Sequence, residues 1–149
     1  MRRLRTFLAL DAQRRRLFLG AFRRLRTARR ALREQPFRDL LPVAGAPGAA
    51  TPLAAPSKRD MERAQAIGWA VRTAARYAPG DNSCLVQVLA ARDLLQEAGI
   101  AGTVFIGAGQ GAGESNAGFA AHAWLKCGDA FVTGEAGHER YAVIGVVSW

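Results

Sequence analysis

Two side chains in this sequence are equipped to do covalent chemistry together, Cys84 and, 38 residues on, His122. A thiolate attacks carbonyl carbon, and an imidazole can take up the thiol proton and later deliver it to a leaving group. Cys84 follows a Pro79-Gly80 break and three small polar residues, Asp81-Asn82-Ser83, each able to accept a backbone N–H bond at a helix start. Leu85, Val88, Leu89 and Leu95 then recur near a 3.6-residue period, and Gly99 supplies the stop. The spacing predicts a largely buried helix with Cys84 in its first turn. Unpaired N–H groups and the helix dipole favour a thiolate there. His122 sits in the alternating segment Phe119-Ala120-Ala121-His122-Ala123-Trp124-Leu125, which reads as a strand.

Each residue also has a plainer reading. An isolated cysteine on an apolar helix is usually a small buried hydrophobe, and an isolated strand histidine is usually structural. The pairing of a helix-start nucleophile with a strand base is what points to cysteine hydrolases and transglutaminases. A third group would orient the imidazole. If the chain reverses at Gly128-Asp129, His122 faces residues near 134–135, which puts the Glu135 carboxylate within reach. Asp129 is closer in sequence but lies at the hairpin tip and would have to curl back. Glu135 is preferred, with Asp129 as the alternative. The Cys84 N–H, with Asn82 or Gln87, could form an oxyanion hole. Trp124 shares a strand face with His122 and either walls the site or packs the core. Cys127 has an odd offset from His122, which gives it the opposite face and a structural role. His138 lies in a polar loop and reads as solvated.

The elements that must hold these residues emerge along the chain. Ser57-Lys58-Arg59-Asp60 has the form of a capping box, and Met61, Ala64, Ile67, Val71 and Ala74 continue it as a helix to about Tyr77. Thr103–Ile106 is a short buried strand, and the glycine-rich segment from Gly107 to Gly118 reads as a mobile loop. Phe119–Cys127, the turn at Gly128-Asp129 and Ala130–Thr133 form a hairpin, and Tyr141–Val147 is a last strand. Helices first and antiparallel strands later define an α+β domain. The glycine segment lacks the Gly-Lys-Ser/Thr ending of a phosphate-binding loop and precedes a strand, which argues against a nucleotide site.

The chain has 149 residues and half are apolar, enough for one compact body with a core. Its net charge of +9 is uneven. Residues 1–40 hold 13 arginines against Asp11, Glu34 and Asp39, while the remainder is nearly neutral. Asp11 is a plausible N-cap for a helix over Ala12–Arg33 with an apolar stripe of Phe18, Ala21, Phe22, Leu25, Ala28 and Leu32. Residues 1–10 could add a turn or two. Gln35-Pro36 ends the helix. Its arginines are either simply solvated or dock an acidic partner, an acidic peptide or an anionic membrane surface. Nucleic acid is disfavoured, because no aromatics interleave the basic face. The organisation expected is an arginine-rich arm over 1–41, a Pro/Ala/Gly linker over 42–56 and a catalytic domain over 57–149. Two cysteines make no disulfide framework, and neither has metal-ligand spacing; no cofactor or metal is called for. The apolar run near the start is too short for a signal peptide or a membrane span, so a reducing cytoplasm is expected.

Several blocks together resemble a known family. Cys84-Leu85-Val86, Leu89-Ala90, Leu94-Leu95, Gly99-Ile100, Phe105-Ile106-Gly107 and Phe119-Ala120-Ala121-His122-Ala123-Trp124 are similar to the transglutaminase-like leader peptidases of lasso peptide biosynthesis. The arginine-rich helix ending in Gln35-Pro36-Phe37-Arg38 resembles the stand-alone, split form of that protease. The resemblance implies a papain-like or transglutaminase-like fold and a cytoplasmic cysteine protease with a Cys-His-Asp type triad. Cys84 would be its nucleophile and His122 its base. The substrate would be a ribosomally made precursor peptide, held by a separate leader-recognition protein. Cleavage would free an α-amine for an ATP-dependent macrolactam synthetase. At the acid position the family usually has Asp, whereas Thr133-Gly134-Glu135 stands here, so either Glu135 or Asp129 would serve. Two rivals compete with this reading. One is a transglutaminase or acyltransferase on the same fold. The other is a non-enzymatic basic adaptor in which Cys84 and His122 are merely packed.

Overall fold

A computed structural model describes residues 10–42, 55–110 and 119–149. The helices come first: α1 over Ala12–Glu34, the single-turn α2 over Phe37–Leu40, α3 over Lys58–Ala75 and α4 over Cys84–Glu97. The strands follow as β1 over Thr103–Gln110, β2 over Phe119–Cys127, β3 over Ala130–Thr133 and β4 over Ala142–Ser148, with a 3-10 turn at His138–Arg140 before the last. The sheet is antiparallel throughout, in the order β3-β2-β1-β4. This is the α+β architecture that the helix-then-strand periodicities predict.

The caps fall where the polar residues stand. Asp11 accepts the Arg14 N–H at 2.8 Å. The Ser57 hydroxyl accepts the Asp60 N–H at 3.1 Å. Each satisfies a donor that an α-helix leaves free at its start. α3 is two residues shorter than predicted, because the chain tightens after Ala75 into a turn closed by Tyr77 N–H to Ala74 O.

Strand alternation divides the sheet into two faces. Val104, Ala123, Leu125, Cys127 and Val132 join the core with Ile67 and Val71 of α3, and Val86, Val88, Leu89 and Leu95 of α4. α1 belongs to the same core: Ala21 and Leu25 are fully buried, Ala28 nearly so, and Phe18, Phe22 and Leu32 pack around them. Arg24 of α1 pairs with Glu97 of α4, and the Arg14 guanidinium lies 5.5 Å from the Trp69 ring centroid. The opposite parity of β2, His122, Trp124 and Lys126, meets aromatic rings instead: Phe105 stacks 5.6 Å from Trp124, and Lys126 caps the Phe131 ring.

The largest departure from expectation is β1, which runs four residues past Ile106 through Gly107–Gln110. A side chain at Gly107 would meet Trp124 and Tyr141 at under 3 Å. The glycine is there to let those two rings lie against the strand, a use that composition alone cannot distinguish from a loop. The rest of the predicted loop, 111–118, lies outside the described residues, as do most of the linker and residues 1–9. The final strand starts at Ala142, one residue later than predicted.

Candidate active site

The loop before α4 sets the position of Cys84. Ser83 occupies the N-cap, and its carbonyl takes the Gln87 N–H at 3.0 Å. Its hydroxyl makes no cap bond and turns back to Asp81 Oδ2 at 3.3 Å, while Asp81 Oδ1 takes the Ser83 N–H at 2.9 Å. Among the described residues no side chain therefore claims the N–H groups of the first α4 turn, where an oxyanion would find them. The Asn82 side chain is fully engaged: its amide donates to the main-chain oxygens of Ala78 at 2.8 Å and Gly80 at 3.0 Å, and its Oδ1 accepts from the Arg29 guanidinium at 2.8 Å. Gln87 Nε2 donates one bond to Asn82 O at 2.9 Å and keeps a second N–H. Of the two side chains considered for an oxyanion hole, Gln87 is the one with a donor to spare.

His122 stands opposite Gly107 on β1, at the level where β3 has already ended at Thr133. Beyond that end, Gly134 takes φ +77 and lies directly over Trp124. A side chain there would be strained in backbone and would overlap Trp124 Cβ. The turn brings the Gly134 carbonyl to the imidazole, and His122 Nε2 donates to it at 2.8 Å. A neutral ring bonded in this way carries its free lone pair on Nδ1. Trp124 and Tyr141 hold the ring, with centroids 5.8 Å and 5.0 Å away.

Cys84, Gln87 and His122 line one open cleft of about 380 Å³, together with Arg72 and the Gly134–Ala136 segment. Cys84 is half-buried, and among the described residues no hydrogen bond joins its sulfur to His122. Glu135 lines the same cleft and is exposed, whereas Asp129 sits exposed in the β2–β3 turn and does not line it. The group that touches Nε2 is thus neither carboxylate but the main-chain oxygen one residue before Glu135. Arg72 was not foreseen. It reaches the cleft from α3 and donates to Val132 O, bracing the end of β3.

His138 is partly exposed, as a residue of a polar loop, and is also packed. Its ring lies 4.7 Å from Phe131 and 5.7 Å from Trp124, and its Nδ1 donates to Glu135 O at 2.6 Å, which fastens the Glu135–Gly137 turn. Cys127 is fully buried, and burial pushes its thiol up from the usual value, with the nearby Asp60 charge adding to the effect. Among the described residues, no three His, Cys, Asp or Glu side chains gather as metal ligands. None of the described helices is long and apolar enough to cross a membrane.

Helices layered on a small antiparallel sheet, with a cysteine opening one helix and a histidine on the adjoining strand, describe a transglutaminase-like domain. The chain matches the family model described as transglutaminase-like superfamily over residues 7–146, and it belongs to that superfamily. The superfamily includes cysteine proteases and acyltransferases. No curated protein and no solved structure gives a match.

Proposed function

We propose that this protein is a cysteine endopeptidase that removes the leader from a lasso peptide precursor in the cytoplasm. The observation that carries the reading is that Cys84 and His122 line the same open cleft at the start of α4. The sequence resemblance supplies the substrate class.

In the proposed cycle the Cys84 thiol gives its proton to His122 Nδ1, and the sulfur attacks the carbonyl at the leader–core junction. The oxyanion takes the first-turn N–H groups of α4, with the spare Gln87 N–H beside them. Imidazolium then protonates the departing amine as the C–N bond breaks, leaving the leader as a thioester on Cys84. Water loses a proton to Nδ1, attacks the thioester, and frees the leader carboxylate and the Cys84 thiol. The Gly134 carbonyl keeps Nε2 protonated and the ring in place throughout. Glu135 lends charge to the imidazolium from the cleft wall, and Asp129 takes no part. A separate leader-recognition protein presents the precursor, and the freed amine passes to an ATP-dependent macrolactam synthetase. No cofactor and no nucleic acid enter the scheme.

The test is precursor cleavage followed by mass spectrometry, with Cys84→Ser and His122→Ala beside the wild type. Two product peptides and a loss of at least about 1,000-fold in either variant are expected, by analogy with catalytic triads. A single amine adduct would make the protein an acyltransferase. Undiminished cleavage by Cys84→Ser would end the assignment.

A further inference from the structure

Arg29 lies on α1, more than fifty residues before the nucleophile, yet it is bonded to the loop that presents Cys84. Its Nη1 donates to Asn82 Oδ1 at 2.8 Å and reaches Asp81 O at 3.4 Å. On this side a cleft of about 500 Å³ lies between α1 and Pro79–Asp81, and Arg29 spans it. The bond also matches the way the Asn82 amide faces. With Oδ1 turned to a cation, the NH2 group faces Ala78 O and Gly80 O, and both of its hydrogens are used. The Asn82 main-chain carbonyl then holds Gln87 Nε2, and Gln87 lines the catalytic cleft. A continuous series of hydrogen bonds runs from α1 through Asn82 to a donor beside Cys84.

We infer that Arg29 is a positioning residue for the nucleophile: it fixes the Pro79–Ser83 loop, and through Asn82 it fixes Gln87 and the first turn of α4. A guanidinium suits the task, since its charge strengthens the bond to Oδ1 and its length bridges the gap. The inference rests on the protease reading for its kinetic consequence, but not for its structural one. This division makes the two separately testable.

The experiment compares the full-length wild type with Arg29→Ala, Arg29→Lys and Asn82→Ala. Hydrogen exchange, followed by mass spectrometry, reports on peptides covering 78–88, 89–97 and 119–133. Losing one charge-assisted bond should speed exchange in 78–88 about tenfold in Arg29→Ala, and leave the other two segments unchanged. Lysine should restore part of the protection, and Asn82→Ala, which also removes the bonds to Ala78 O and Gly80 O, should speed exchange at least as much as Arg29→Ala. In precursor cleavage, Arg29→Ala should lower kcat about tenfold at unchanged KM, with partial recovery in Arg29→Lys. Unchanged exchange in 78–88 would overturn the inference, as would faster exchange with kcat intact. If Arg29→Ala does not fold, Arg29→Lys and Asn82→Ala decide by the same readouts. If the wild type cleaves no precursor, the protease reading falls while the exchange result still judges the strut.

Discussion

At the residue scale the site departs from a carboxylate-oriented imidazole. His122 Nε2 rests on the Gly134 carbonyl, a neutral dipole, and Glu135 stands nearby without touching the ring. A main-chain oxygen fixes the tautomer as a carboxylate does, but it offers the imidazolium less charge stabilisation. Removing the Glu135 charge should therefore cost only a modest factor. Glu135→Gln is expected to lower kcat about tenfold at most, within the range of a partly screened charge. Asp129→Asn, at the exposed turn, should leave kcat unchanged. Precursor cleavage at saturating substrate checks both, and a large loss in Asp129→Asn would reverse their roles. The placement of Cys84 at a helix start and of His122 on a strand was legible, because side-chain type and the helix and strand periods carry it, whereas Gln87 stood only as an alternative to Asn82. The Gly134 carbonyl was not, because a backbone acceptor leaves no trace in residue type. Nor was Arg72, since reaching the cleft from α3 depends on how that helix packs against β3.

At the element scale, α1 decides how the N-terminal third is to be understood. Its period, its Asp11 cap and its apolar stripe were all readable, and the helix ends within one residue of expectation. What the stripe packs against was beyond reach, since any amphipathic helix satisfies the same pattern. In the fold that stripe enters the core beside α3 and α4, and Arg24, Arg29 and Arg14 each engage a neighbouring element. Leu25, fully buried at the centre of the stripe, carries the consequence. Leu25→Ala should cost about 2–5 kcal/mol, the range for emptying a packed leucine site. Denaturant unfolding should show one cooperative transition at a lower midpoint. A separate early transition for α1, or no change at all, would mean that the helix is an appendage.

At the scale of the whole molecule, the charge has a direction. With the apolar stripe turned inward, Arg16, Arg23, Arg26, Arg30 and Arg33 remain exposed, and the exposed Leu19 lies among them. Their spacing of 7, 3, 4 and 3 residues draws one line about 25 Å long on the outer side of α1. That line ends near Arg29 and the nucleophile loop, with Arg33 beside the same cleft. A membrane is a poor fit, because the helix has no free apolar face to insert. On the proposed leader-peptidase reading, an acidic stretch of the precursor or of a leader-recognition protein fits better, since a row of guanidinium groups matches carboxylates along an extended chain. Replacing Arg16, Arg23, Arg26 and Arg33 together by Gln should raise KM for precursor cleavage about tenfold while kcat holds. The wild-type KM should rise with salt between 50 and 500 mM (~0.05–0.5 M), and that of the variant should stay nearly flat, as screening requires. A wild-type KM indifferent to salt would leave the arginines as solvated surface. Binding of the wild type to anionic vesicles with no effect of the substitutions on KM would direct the stripe to lipid instead.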